Sequence, residues 1–297
     1  MSQKILYGLE NYFKELIKLY DNKKLPKVIM LTGSKGQGKF TLIHHLLAYI
    51  FDIKNYNLKL KKINEESKVF NVLIENYNPN IIYFECIGKK IKIDDIRELR
   101  KNLQKSSINH LPRFIIFDDV ENLNDSCINA LLKTIEEPSI TNYFILINNK
   151  SQTILDTLKS RSIELKFFLN QEKKKLIINK LIKNFKIEEK INLNNITLTP
   201  GNYLKFNKII FEEQININDD LITNIEKLLK LNKIKKNNDY SSLAIYLIDC
   251  HYYKKSKNKS NIGYFNDKRI EIIKKINETN KFNLNQVNVI TDLKNYI

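Results

Sequence analysis

The chain reads as an α/β protein in which a parallel sheet carries a phosphate-binding loop and a region of helices only follows. Three observations predict this. Two continuous apolar runs, Phe114–Phe117 and Tyr143–Ile147, stop at polar side chains, Asp118-Asp119 and Asn148. Buried parallel strands look like this where they reach the edge that binds ligands. A third apolar run, Val28–Leu31, leads through Thr32 into Gly33-Ser34-Lys35-Gly36-Gln37-Gly38-Lys39 and then into a helical pattern. After Leu165, apolar residues recur at spacings of three and four, the period of helices.

Taken in order, residues 8–20 form an amphipathic helix with Leu9, Tyr12, Phe13, Leu16, Ile17 and Tyr20 on one stripe. The first strand, the glycine-rich loop and a helix to Phe51 come next. Residues 52–78 are polar and rich in Asn and Lys, and read as a helix and loops over the sheet edge. Asn80–Ile87 is a strand and Lys92–Leu103 a helix with Ile93, Ile96 and Leu99 on one face. After Asp119, any of Asn124, Asp125 or Ser126 can cap a helix that Pro138 ends. Ile163–Phe167 is a last strand. Helical patterns then cover 171–185, a segment opening at Thr199-Pro200-Gly201-Asn202, and 219–232, 239–254, 265–279 and 284–296.

The loop satisfies G-x-x-x-x-G-K between a strand and a helix, the context that identifies a P-loop. Its glycines let successive backbone N–H groups turn toward phosphate, and the helix N-terminus adds a positive dipole end. Gly33, Gly36, Gly38 and Lys39 are therefore candidate nucleotide contacts, with Asp118, Asp119 and Asn148 on the neighbouring strand ends. A working P-loop places Ser or Thr directly after the Lys, where the hydroxyl binds magnesium. Phe40 stands there. Thr41 follows and is kept as a candidate, although one residue turns a helix by roughly 100° and aims it elsewhere.

At 297 residues the chain has room for two or three domains with real cores. No apolar run reaches the roughly 20 residues of a membrane span, and the first helix carries Glu10 and Glu15, unlike a secretory leader. Cys86, Cys127 and Cys250 lie far apart with no C-x-x-C, which argues against a zinc knuckle or a disulfide framework and for a reducing cytoplasm. The adjacent His44 and His45 point apart on a helix and make no zinc pair. The net charge of +17 suggests a polyanionic partner. It is spread evenly along a Lys-, Asn- and Ile-rich chain, however, and most of it reads as solvated surface. Residues 254–275, with eight Lys or Arg against Asp267 and Glu271, are the densest stretch.

Asn129-Ala130-Leu131-Leu132-Lys133-Thr134-Ile135-Glu136-Glu137-Pro138 resembles the "N-A-L-L-K-x-L-E-E-P" segment of the clamp-loader branch of the AAA+ ATPases. Ser160-Arg161-Ser162 resembles its "S-R-C", and Lys92–Leu103 its "I-x-I-D-x-I-R-x-L". The resemblance implies a RecA-like P-loop domain over 1–167, a helical lid over 168–212 and a helical collar for oligomerisation over 213–297. It makes Asp118 the Walker B aspartate. Asp119 stands where active members have Glu, and Asn202 where the lid carries a nucleotide-sensing Arg. The cysteines of the zinc module found in many relatives are absent. Arg161 matches the arginine that reaches a neighbour's ATP site, against the alternative of a salt bridge at the lid hinge.

With three degraded positions, the implied subunit can bind ATP but does not hydrolyse it, and holds no zinc. Implied partners are the other loader subunits (gamma/tau and delta), indirectly the sliding β clamp, and primed DNA. Two other classes are an active motor ATPase, which requires intact Walker residues, and a basic DNA-binding protein without ring partners.

Overall fold

The structure, a computed structural model, describes residues 4–67, 80–86, 91–104, 111–192, 198–217, 219–256, 262–282, 290, 291 and 294. Its centre is a five-stranded sheet. The strands are β1 (Val28–Thr32), β4 (Ile81–Glu85), β5 (Arg113–Asp118), β6 (Asn142–Asn148) and β7 (Ile163–Lys166), in the order β4-β5-β6-β1-β7. Every pairing is parallel. Glu85 therefore pairs with Asp118, Asp118 with Ile147, and Thr32 with Asn148, so the polar ends of the apolar runs share one edge.

Side chains alternate between the two faces of the sheet, and the core divides accordingly. Ile29, Leu31, Phe114, Ile116, Ile145 and Ile147 face α1 (Glu10–Asp21) and α2 (Lys39–Phe51). Val28, Met30, Ile115, Phe117, Phe144 and Leu146 face α3 (Ile93–Leu103) and α4 (Asp125–Ile135). Phe114 to Phe117 are fully buried because both faces of β5 are covered. Each such side chain contributes about 1.5–3 kcal/mol by leaving water. In α1, Phe13 and Leu16 are the buried members of the expected stripe. Asn124 proves to be the cap of α4, its side chain accepting from Cys127 N at 2.8 Å.

Residues 52–67 form a 3-10 turn at Ile53–Asn55 and a two-residue antiparallel ladder, β2 (Tyr56–Asn57) with β3 (Lys62–Ile63). Asn57 closes its turn by accepting from Leu60 N at 3.0 Å, while Tyr56 and Ile63 sink into the core over α2. The remainder of the expected 52–78 segment and the end of the 80–87 strand lie outside the described residues, as does nearly all of 284–296.

The chain divides into two compact units, Met1–Asn179 with Thr197–Asn202, and Lys180–Ile196 with Tyr203–Ile297. The helices α6 (Gln171–Phe185) and α7 (Pro200–Glu212) contribute to both. In the second unit, fully buried Tyr203 donates to Ile191 O at 3.0 Å. Asn207, also fully buried, accepts from Lys190 N and Ile191 N. The helix α9 (Asp239–Ser256) packs against α8 (Leu221–Lys235) and α10 (Ile262–Phe282), and the three bury Ile225, Leu228, Leu243, Ile248, Ile272 and Ile276. Among the described residues no helix is long and apolar enough to cross a membrane.

Candidate nucleotide site and the Arg161 corner

The glycine-rich loop joins β1 to α2. Gly36 and Gly38 have φ of +83° and +90°, the left-handed region that favours glycine. Gly38 is the N-cap of α2. Gly36 has a second reason to lack a side chain, since a Cβ there would lie 2.4 Å from Thr199 Oγ1. The start of α7 and the preceding Thr199 lie against the loop: the Thr199 hydroxyl donates to Lys35 O at 2.7 Å and Gly201 N to Gly36 O at 2.9 Å. Gly33 N donates to Asn148 O at 3.1 Å, tying the loop to the end of β6.

Lys39 is buried, and its ammonium donates to Gly33 O at 2.7 Å and Ser34 O at 3.0 Å. Burial pulls it down to about 8, opposed by the carboxylates of Asp118, Glu121 and Asp119.

Asp118 ends β5 and Asp119 directly follows it. Asp118 Oδ2 accepts the Tyr83 hydroxyl at 3.2 Å, and Oδ1 accepts Asp119 N at 3.0 Å. Desolvation, reinforced by the neighbouring Asp119, holds the Asp118 carboxyl above its ordinary range. Asp119 is buried in left-handed backbone, φ +57°, which Asp tolerates. It accepts from Lys35 Nζ at 3.3 Å.

The position after Lys39 decides the chemistry. The Phe40 ring lies 5.4 Å from that of Tyr83 and 4.7 Å from that of His44, centroid to centroid. An aromatic cluster thus stands where a P-loop hydroxyl would, and its phenol occupies the carboxylate a magnesium ion would need. These residues do not fit that ion. The loop glycines do have the backbone of a phosphate cradle. Thr41 is buried further along α2. Among the described residues no group of three or more His, Cys, Asp or Glu is arranged to hold a metal.

Of the predicted residues, Gly33, Gly36, Gly38, Lys39, Asp118, Asp119 and Asn148 meet around one sheet edge. Asn148 is turned aside, however, its side chain accepting from Lys150 N at 2.8 Å. The neighbouring Asn149, not singled out from the sequence, reaches Asp119 at 2.7 Å and Asp118 at 3.3 Å through Nδ2. Glu121, also missed, is buried and accepts from Asn149 N, Ser151 N and the Ser151 hydroxyl, fixing that loop. The Asn148-Asn149 pair at a strand end was the available signal for the first. Nothing in the sequence signalled Tyr83.

Arg161 lies at the turn between α5 (Asp156–Lys159) and β7. Its Nε donates to Glu136 Oε1 at 2.8 Å and Nη1 to Thr157 O at 3.2 Å. An intramolecular pair therefore exists, formed with the end of α4 and not with the lid segment.

The sheet order, the strand–loop–helix P-loop and the carboxylates at the end of β5, one strand removed from β1, define a P-loop protein of the AAA+ class. The family model described as DNA polymerase III, delta subunit, matches residues 8–171, and the chain belongs to that family. Among curated relatives, the DNA polymerase III subunit delta' of Buchnera aphidicola subsp. Schizaphis graminum is 29% identical over 188 residues, 62% of this chain and 54% of that one. The subunit delta' of the Acyrthosiphon pisum strain is 26% identical over 167 residues, 55% and 50% of the two chains. A gamma subunit from the Schizaphis graminum strain is 26% identical over 173 residues, 58% and 46%. The chain spans about half the length of the curated relatives it matches. A gamma subunit-related protein from Thermotoga maritima aligns over 95% of this chain and 96% of its own, with 18% identity and a TM-score of 0.47.

Proposed function

We propose that this chain is a delta-prime-like subunit of a DNA polymerase III clamp loader that turns over no ATP of its own. In this reading it acts in the cytoplasm, joins gamma/tau and delta subunits in a ring through its AAA+ and collar parts, and helps place the sliding β clamp on primed DNA. It donates Arg161 to a neighbour's ATP site. The observation that carries the reading is the Phe40–Tyr83–Asp118 cluster, which takes the metal corner away from the P-loop.

The chain's own residues then have defined roles. Glycine backbone and Lys39 can hold phosphate oxygens, with no hydroxyl to organise an ion beside them. Asp119, one methylene shorter than Glu, holds Lys35 and Asn149 in place of an attacking water. Arg161 presents a planar cation that can bond two oxygens of a departing γ-phosphoryl group. Such fingers accelerate well-studied GTPases by about 10³–10⁵, or roughly 4–7 kcal/mol.

The test is reconstitution with gamma and delta subunits. The isolated chain is expected to hydrolyse ATP at background and to co-purify with them. Arg161→Ala is expected to leave the chain folded and ring-competent but to slow hydrolysis and clamp loading by the ring. The gamma relatives favour a second reading, a hydrolysing motor. Turnover by the isolated chain that disappears in Lys39→Ala would select it.

A further inference from the structure

Arg161 is oriented from two sides before any partner arrives. Its Nε edge meets Glu136, with Nη2 also 2.8 Å from Oε1, and its Nη1 tip is caught by the Thr157 carbonyl. Glu136 directly follows α4, and its backbone N–H still bonds Leu132 O at 3.0 Å, so the carboxylate stands on a helix end and not on a free loop. Two acids close to Arg161 in the sequence pair with lysines instead: Asp156 with Lys159 at 2.9 Å, Glu164 with Lys166 at 3.5 Å.

The Arg161 and Glu136 side chains are 37% and 46% exposed. A pair this exposed adds little to folding stability, which leaves the fixed direction of the guanidinium as its consequence. Three of the five guanidinium N–H groups face Glu136 and Thr157, which leaves one on each terminal nitrogen for an outside acceptor. A cation already aimed does not have to give up its freedom at each encounter, and small misplacements of a reacting group are costly.

We propose that Glu136 is a positioning residue for Arg161, holding the guanidinium in the direction from which it meets the γ-phosphate of a neighbouring subunit. The inference rests on the finger reading above. Four reconstituted rings test it: wild type, Arg161→Ala, Glu136→Ala and the double variant, assayed for ATP turnover against ATP concentration. Glu136→Ala is expected to lower the maximal rate roughly ten- to a hundredfold, with KM for ATP unchanged because Glu136 touches no nucleotide. Glu136→Gln, which keeps an acceptor oxygen, should retain most of the rate. The double variant should be no slower than Arg161→Ala. If Glu136→Ala does not join the ring, Glu136→Asp takes its place with the same expectation.

A slow Arg161→Ala ring beside a Glu136→Ala ring (or its Glu136→Asp substitute) at or above the wild-type rate overturns the positioning role alone. So do losses that multiply in the double variant. An Arg161→Ala ring at the wild-type rate removes the finger reading, and this inference with it.

Discussion

A single side chain carries much of the reading proposed for the phosphate loop. Phe40 replaces a hydroxyl with a ring, and that ring is held by Tyr83, whose own hydroxyl sits on Asp118. The two changes act on one ion position, so they are expected to be coupled. Phe40→Ser combined with Tyr83→Phe should raise the magnesium-dependent part of ATP affinity at least about tenfold, by roughly 1.4 kcal/mol or more. Neither single change should do so. Calorimetry with and without magnesium reads this directly, and a double variant indifferent to magnesium would show that another feature excludes the ion.

His44, beneath Phe40, gives a pH signature. Burial, with smaller help from His45, lowers it from 6.5 to about 3. A depressed value means the unfolded chain binds the proton first. Stability is therefore whole above pH 6.5 and is lost as pH falls toward 3, by up to about 1.4 kcal/mol per pH unit. Between pH 7.5 and 5.5, His44→Leu should lose less melting temperature than the wild type. Equal losses would mean that another group carries the dependence.

Residue roles were legible in the sequence only where chemistry and neighbourhood coincide. The loop glycines, Lys39 and the carboxylate pair stand in a row along the chain. Tyr83 and Asp118 are 35 positions apart, Arg161 and Glu136 25. Such pairs exist only through the sheet order, which no local pattern encodes. Asn148 and Asn149 differ by which way one step of a strand end points.

Among elements, the buried strands were the easiest to read, because a strand covered on both faces writes a continuous apolar run. Phe117 shows what the covering is worth. It is fully buried and stacks on Phe84 with ring centroids 4.7 Å apart. Phe117→Ala should cost about 3–5 kcal/mol in denaturant unfolding. Ile140→Ala, at a site 88% exposed, should stay within about 0.5 kcal/mol. The β2–β3 ladder was not legible. Two-residue strands have no measurable period, and their place is set by Tyr56 and Ile63 finding the α1–α2 core.

For the molecule as a whole, the excess of cations is the dominant long-range property, yet its densest stretch is partly neutralised. Arg269 pairs with Asp249 at 2.6 Å and Lys275 with Glu271 at 3.2 Å, and residues 257–261 lie outside the described ones. Any DNA affinity of the chain should thus be diffuse and blind to sequence. Log K should fall linearly with log salt, by about 0.9 per duplex phosphate contacted. Strong preference for one duplex sequence at matched salt would contradict that.

The helix Asp125–Ile135 has a bearing on the ring that follows from its two ends. Eleven residues make a stiff rod of about 16 Å. At its near end, Asn124 caps the first turn, and the preceding turn leads back to Asp119, which Lys35 and Asn149 hold in place. At its far end stands Glu136, and on Glu136 leans Arg161. In a subunit that cleaves nucleotide, a rod of this kind could pass a shift at its near end on to its far end. Here Lys35 and Asn149 of the same chain tie the near end, and in a subunit that turns over no ATP, as proposed above, no hydrolysis event would release them. On the reading proposed above, a ring built with this chain would have one boundary that keeps its setting while the others change, a fixed mark against which its neighbour closes and opens.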